Sequence, residues 1–218
     1  MVRSYRGWLI ALALVGAAAD QASKYVVFHW LQHPSRYDQV SQSGSYEIVP
    51  GWFQLHIQYT NKPVQYAETP IKSWLQSWSN KDVLPRVNHG ALFGLGNQHE
   101  IAANYFFAFV SIAAGFAIFG WSFRPTTSRD RLLCCALGLI LGGTLGNLYD
   151  RIVFEGVRDF LYFYRINWPV FNVADCCLVC GAFLLLAQAF LTNPATHSVT
   201  TSGPETLVLP TPEVANVH

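Results

Sequence analysis

The sequence predicts an all-α membrane protein with four transmembrane helices, on two observations. Of 218 residues, 51% are hydrophobic and only 12% charged, about half the charged share of an ordinary soluble domain. The apolar residues also gather into four segments near the length that crosses a bilayer, about 20 residues each. A polar stretch between the first two segments supplies the remaining structure: a strand or two and a short surface helix.

The first span runs from Trp8 to Leu31. Arg3 and Arg6 before an apolar run, with Ala17-Ala18-Ala19 after it, have the outline of a secretory signal. The apolar character continues past Asp20 and Lys24 into Tyr25 to Leu31, however, and predicts an uncleaved helix with an aromatic far end. Asp20 and Lys24 are four apart and share a helix face, either as a structural ion pair near the interface or with a direct role at a site. Residues 32–100 are polar and belong outside the membrane. Within them Glu47 to Ile57 alternates in part and predicts the strand or two. Pro70 to Ser79 sets Ile71, Trp74, Leu75 and Trp78 at helical spacing and predicts a helix lying on the membrane surface. Asn88 to Gly94 is a glycine-bearing turn signal.

The second span is Ile101 to Phe123, the third Leu132 to Leu148 and the fourth Ala174 to Leu191, with a short link at 124–130. Gly138, Gly142 and Gly146 recur every four residues, a spacing that lets another helix approach closely. Asn147, Asp150 and Arg151 fall on one face at the end of the third span, and Asn172 and Asp175 open the fourth. Arg3, Arg6, Arg124, Arg129 and Arg131 predict that both termini are cytoplasmic. Arg151, Arg158 and Arg165 lie on the outer side against that bias, beside Asp150, Glu155 and Asp159. Cys134, Cys135, Cys176, Cys177 and Cys180 sit in or beside apolar runs without ligand-spaced histidines, which argues against a zinc site or a disulfide framework. Residues 192–218 are rich in Thr, Pro and Val and predict a disordered tail. A net charge of +1 and the lack of a basic tract give no sign of nucleic-acid binding.

Ionisable groups at a bilayer edge are costly, so several together mark a site. Two carboxyl groups held close cannot both ionise cheaply and share a proton. Such a pair can take a proton from water while giving one to a carbonyl oxygen. The chain has neither a serine or cysteine in a nucleophile turn nor an HExxH metal motif, so the protease chemistry open to it is aspartyl. The same carboxylates would also suit a proton- or ion-translocating protein. Spacing alone leaves open whether Asp150 or Asp159 partners Asp175.

Five blocks in order resemble the lipoprotein signal peptidases, also called signal peptidase II. They are Asp20-Gln21-Ala22-Ser23-Lys24, Asn88-His89-Gly90-Ala91-Leu92-Phe93-Gly94, Gly142-Gly143 with Gly146-Asn147-Leu148-Tyr149-Asp150-Arg151, Val157-Arg158-Asp159-Phe160, and Phe171-Asn172-Val173-Ala174-Asp175. The resemblance covers Trp8 to Leu191 and implies a four-helix aspartyl endopeptidase of the bacterial inner membrane with a small extracytoplasmic β-platform; the peptidase domain is expected at 1–191, and the protein is expected to be monomeric. It implies no cofactor and no metal. Its substrates would be diacylglyceryl-modified prolipoproteins reached through membrane lipid, cut before the lipidated cysteine near the extracytoplasmic face. By motif, Asp159 and Asp175 are the implied catalytic pair, with Asp150 as runner-up. Asn147, Arg151 and Asn172 would bind substrate backbone or orient the aspartates. Asp20, Lys24, Asn88, Gly90, Gly143 and Ala174 would shape the site and groove. Three features depart from the family pattern: His89 and Leu92 replace the usual Thr and Ala, 58–86 reads as an insertion, and the tail is long.

Overall fold

The computed structural model describes residues 4–63, 70–77, 83–90 and 100–192. Ala91 to Gly94 of the turn block, Trp78 and the 193–218 tail lie outside the described residues. Among the described residues, four helices are long and apolar enough to cross a membrane: α1 (Arg6–Leu31), α3 (Glu100–Ser122), α5 (Arg131–Val153) and α6 (Val173–Thr192). The chain is a multi-pass membrane protein.

Small residues put α5 at the centre. It packs on α1, α3 and α6, while α3 and α6 share no extensive contact. The predicted glycine stripe faces α1, for a Cβ on Gly138 would come within 2.7 Å of the Leu9 carbonyl oxygen and one on Gly142 within 2.9 Å of that of Ala13. As a result 56% of the apolar window of α5 is buried, against 11% for α3 and for α6. The outer faces of α3 and α6, with Phe106, Phe109, Phe116, Phe183 and Phe190 exposed, are left to lipid.

Outside the spans, β1 (Tyr37–Asp38), β2 (Ser43–Val49), β3 (Phe53–Pro63), β4 (Val83–Pro85) and β5 (Leu161–Tyr162) form one antiparallel sheet. β3 is its spine. One edge pairs with β2, and the other is shared by β5 at Gln54 and Leu55 and by β4 at Tyr59 and Pro63. The end of α1 plugs into this sheet, where Phe28 and Leu31 pack with Ile57, Tyr59 and Phe160, all buried. The surface helix α2 (Pro70–Ser77) rests on the end of α5, with Ile71 and Trp74 exposed as an amphipathic surface helix requires.

Three boundaries differ from the sequence expectation. The third span does not stop at Leu148 but runs to Val153, because side chains cap its last carbonyls: Asn104 Nδ2 donates to Arg151 O (3.2 Å) and Gln76 Nε2 to Val153 O (2.7 Å). Asp150 and Arg151 are therefore in the last helical turn. The expected strand or two is a five-stranded sheet, since two-residue strands such as β1 and β5 carry no periodicity to read. The 124–130 link holds a short helix, α4 (Pro125–Arg129).

Candidate active site

Carboxylates collect where the sheet-side ends of α1, α5 and α6 meet the segment 157–161, and they form two groups. The first is sealed from solvent. Lys24 Nζ donates to Asp20 Oδ2 (2.8 Å) and Asn147 Oδ1 (3.3 Å) and lies 3.3 Å from Asp150 Oδ2. Arg158 grips Asp150 with a fork, Nη2 to Oδ1 at 2.8 Å and Nε to Oδ2 at 3.2 Å, and its backbone N–H adds a third bond to Oδ2. Gln21 Nε2 donates to Asp20 and Asp150, while Gln21 Oε1 accepts from Arg158 Nη2. The guanidinium also lies over the rings of Tyr25 (4.4 Å) and Phe154 (3.9 Å). Asp20, Lys24, Asp150 and Arg158 are all wholly buried, two anions with two cations. The cluster is neutral as a whole.

The second group is Asp159 and Asp175, whose hydrogen-bond partners are amides. Asn172 Nδ2 donates to Asp159 Oδ1 (2.7 Å) and to Asn147 Oδ1 (3.1 Å), and the Asn172 backbone N–H donates to Asp175 Oδ2 (3.2 Å). Asn88 Nδ2 donates to Asp159 Oδ2 at 3.0 Å, and Asn147 Nδ2 to Asp175 Oδ1 at 2.9 Å. One wholly buried asparagine thus bridges both carboxyl groups. Among the described residues, no cation lies within ion-pair distance of either aspartate. Burial first, and the neighbouring Asp175 charge second, push the Asp159 carboxyl up to about 7.

Local structure explains why these side chains are so well placed. Asn172 precedes α6, and its Oδ1 accepts from the Asp175 N–H at 3.0 Å while the Asp175 carboxylate bonds back to the Asn172 N–H. That is a capping box, with Asn and Asp in the places usually held by Ser or Thr and Glu. Asp20 Oδ1 takes a further helix-end donor, the Ala174 N–H (2.9 Å), tying the buried network to α6. Asp159 is fixed by the backbone around it: Val157 and Asn88 exchange two bonds (2.7 and 2.8 Å), and Phe160 N–H donates to Phe171 O (3.0 Å). Gly90, at φ +82°, lies against the Phe107 ring where a Cβ would not fit, and its N–H holds Asn88 Oδ1 at 2.8 Å. A Cβ on Gly143 would collide with the Ala174 carbonyl oxygen, so this glycine sets how closely α5 and α6 approach.

Every residue singled out from the sequence lies in this region. Asn88, Gly90, Asn147 and Asn172 surround the Asp159–Asp175 pair, while Asp20, Lys24 and Asp150 belong to the sealed network. Half-buried Arg151 lies with its guanidinium 5.4 Å from the Phe107 ring centre, within the electrostatic reach of Asp175, Asp159 and Asp150. Arg158 and Gln21 were missed as site residues. Arg158 gave a signal in its place on the side where basic residues are disfavoured; Gln21 gave none. His89 Nδ1 donates to Glu155 O at 2.7 Å, and Glu155 pairs with Lys72 of α2 at 2.6 Å. On the sheet side of Asp159 opens a cavity of about 350 Å³. Among the described residues no group of three or more His, Cys, Asp or Glu could hold a metal ion.

Residues 12–191 match the family described as signal peptidase (SPase) II. The chain belongs to the signal peptidase II family. It is 34% identical over 200 residues to the lipoprotein signal peptidase of Rhodopirellula baltica, covering 85% of this chain and 73% of that protein. It is 40% identical over 114 residues to that of Yersinia pseudotuberculosis, covering 51% of this chain and 67% of that one. The fold is similar to a bacterial membrane enzyme solved by the in meso method at 2.3 Å resolution, with a TM-score of 0.61, 21% identity, and 91% of this chain and 97% of the other covered. Membership of the signal peptidase II family makes the chain an enzyme, a membrane protease, and does not favour the ion-translocating alternative.

Proposed function

We propose that Asp159 and Asp175 are the catalytic pair of an aspartyl endopeptidase that removes the signal peptide from diacylglyceryl-modified prolipoproteins, cutting before the lipidated cysteine. The observation that carries this reading is the single bridging asparagine: Asn172 holds both carboxyl groups, and only neutral amides hydrogen-bond to them. Asp150, whose two oxygens are engaged by Arg158 and Lys24, is the weaker candidate.

In the first step water gives a proton to Asp175 as its oxygen attacks the scissile carbonyl carbon. Protonated Asp159 gives its proton to the carbonyl oxygen. The tetrahedral diol then collapses: one hydroxyl returns its proton to Asp159 as the C=O bond re-forms, the C–N bond breaks, and the proton taken by Asp175 passes to the leaving amine. One water is consumed and no covalent enzyme intermediate forms. Arg151 stabilises negative charge developing beside the pair, and Asn88, Asn147 and Asn172 hold the carboxyls in position. Because α3 and α6 do not close on each other, the diacylglycerol can stay in lipid beside the pair.

The enzyme works as a monomer in the bacterial inner membrane with both termini cytoplasmic, and nucleic acid plays no part. Residues 1–191 are its peptidase domain, 58–86 an insertion that extends the sheet, and 192–218 a tail. The test is in-gel cleavage of a diacylglyceryl-modified prolipoprotein by purified protein. Cleavage by the parent, lost in Asp159→Asn and in Asp175→Asn, is the expected result. Near-normal turnover in either variant removes that residue from the pair.

A further inference from the structure

The cavity beside Asp159 shares only Asp159 and Asn88 with the chemistry above, and its walls all lie outside the four spans. His56 and Gln58 stand two apart on β3 and so share one face of the sheet. Arg86 and His89, on the segment after β4, form a second wall, and Val170 a third. Asp159 stands at the rim. Its partner Asp175 lies in the first turn of α6, so a peptide laid across the pair runs from a helix end into this cavity. The apolar core of a signal peptide belongs on the helix side. The residues that follow the cysteine therefore enter the cavity, whose volume of about 350 Å³ falls within the range of ordinary ligand pockets.

Arg86 and His56 bring hydrogen-bond donors to a lining that also holds Val87, Pro169 and Val170. Arg86 Nη1 donates to Gln58 Oε1 at 3.1 Å, and the Arg86 side chain is exposed. Among the described residues, no carboxylate lies within ion-pair distance of Arg86. His56 Nδ1 is buried and has no hydrogen-bond partner among the described residues. The one carboxyl group in the lining is Asp159, which carries a proton when it acts as the acid. A wall that carries a guanidinium, with no carboxylate among the described residues within ion-pair distance of it, complements a ligand that is anionic and accepts hydrogen bonds.

We propose that this cavity is a specificity subsite that favours an acidic side chain in the first residues after the lipidated cysteine, with Arg86 as its principal recognition residue and His56 as a secondary one. The proposal rests on the peptidase reading and goes beyond it. An anionic lipid headgroup has similar chemistry, but every residue of the lining lies outside the four spans.

The test uses the full-length enzyme and two diacylglyceryl-modified prolipoproteins that differ only in carrying Asp or Lys next to the cysteine. The readout is the ratio of their kcat/KM values, which does not depend on how much enzyme is folded. Because Arg86 is exposed, its pair is screened, and the parent should favour Asp by about threefold to fivefold, less in high salt. Arg86→Gln should bring the ratio close to one, and Arg86→Glu should invert it. A ratio of one in the parent, or a preference for Asp that survives Arg86→Glu, would overturn the subsite. So would activity that follows the anionic phospholipid content of the micelle while ignoring the substrate's charge. Cleavage of neither substrate by the parent would instead overturn the peptidase assignment beneath it, and cleavage surviving Asp159→Asn would overturn the catalytic pair.

Discussion

Asp150 and Asp159 are nine residues apart, yet the structure treats them in opposite ways. Asp150 is wholly buried against a guanidinium fork and an ammonium group, with charges matched across four side chains. Asp159 is half-buried, its hydrogen-bond donors are neutral amides, the Asp175 carboxyl lies beside it, and Arg151 acts on it through space without an ion pair. A carboxylate held by cations is kept ionised and immobile, and it serves as scaffold. One given only neutral donors and a like-charged neighbour can hold and release a proton near neutrality. The nearest fully charged network thus supports the helix ends, and the reactive pair is held by uncharged groups.

The sharpest way to break this comparison is to remove one charge from each group. Asp159→Asn or Asp175→Asn should lower cleavage by about 10²–10⁴-fold, read in gel, while the protein stays folded. In the sealed network the loss should appear as instability. Arg158→Met or Lys24→Met strands a buried carboxylate and should cost about 3–5 kcal/mol, read as thermal unfolding in detergent. Removing Asp150 together with Arg158 should cost clearly less than the sum of the single changes, because the groups act as a unit.

Asn172 belongs to both sides of the comparison. Asn172→Ala removes the helix cap, worth about 1 kcal/mol, and frees both catalytic carboxyls, so kcat should fall further than stability alone explains. The smallest effect is on pH. Burial and Asp175 raise the Asp159 pKa, so the folded protein keeps a proton that the unfolded chain loses above about 3.8. Stability from this group is full below that value and is lost as the pH rises through about 7. Activity that needs the acid should fall over the same upper limb. At pH 8, Asp159→Asn should raise Tm by about 2–4 °C, the shift expected for roughly 1 kcal/mol in a chain of this length.

The spans could be read from the sequence because apolar length and composition are local properties. The glycine stripe at Gly138 and Gly142 likewise foretold the close approach of α1, since small residues leave a gap that only a neighbouring helix fills. The end of α5 could not be read, because Asn104 and Gln76, which cap it, come from other elements. The division between Asp150 and Asp159 was also hidden. Spacing placed both near Asp175, and only the three-dimensional path of Arg158 shows which of them is held by cations. The capping box at Asn172 and Asp175 was in plain view as N-x-x-D before an apolar run, and it is the local reason that Asp175 is fixed.

The most direct test of this division of labour is to measure cleavage and thermal unfolding on the same preparations of the parent, Asp159→Asn and Asp150→Asn. The account predicts that Asp159→Asn is inactive and at least as stable as the parent, whereas Asp150→Asn unfolds at a clearly lower temperature. A stable but inactive Asp150→Asn beside an Asp159→Asn that still cleaves would reverse the two roles and contradict it.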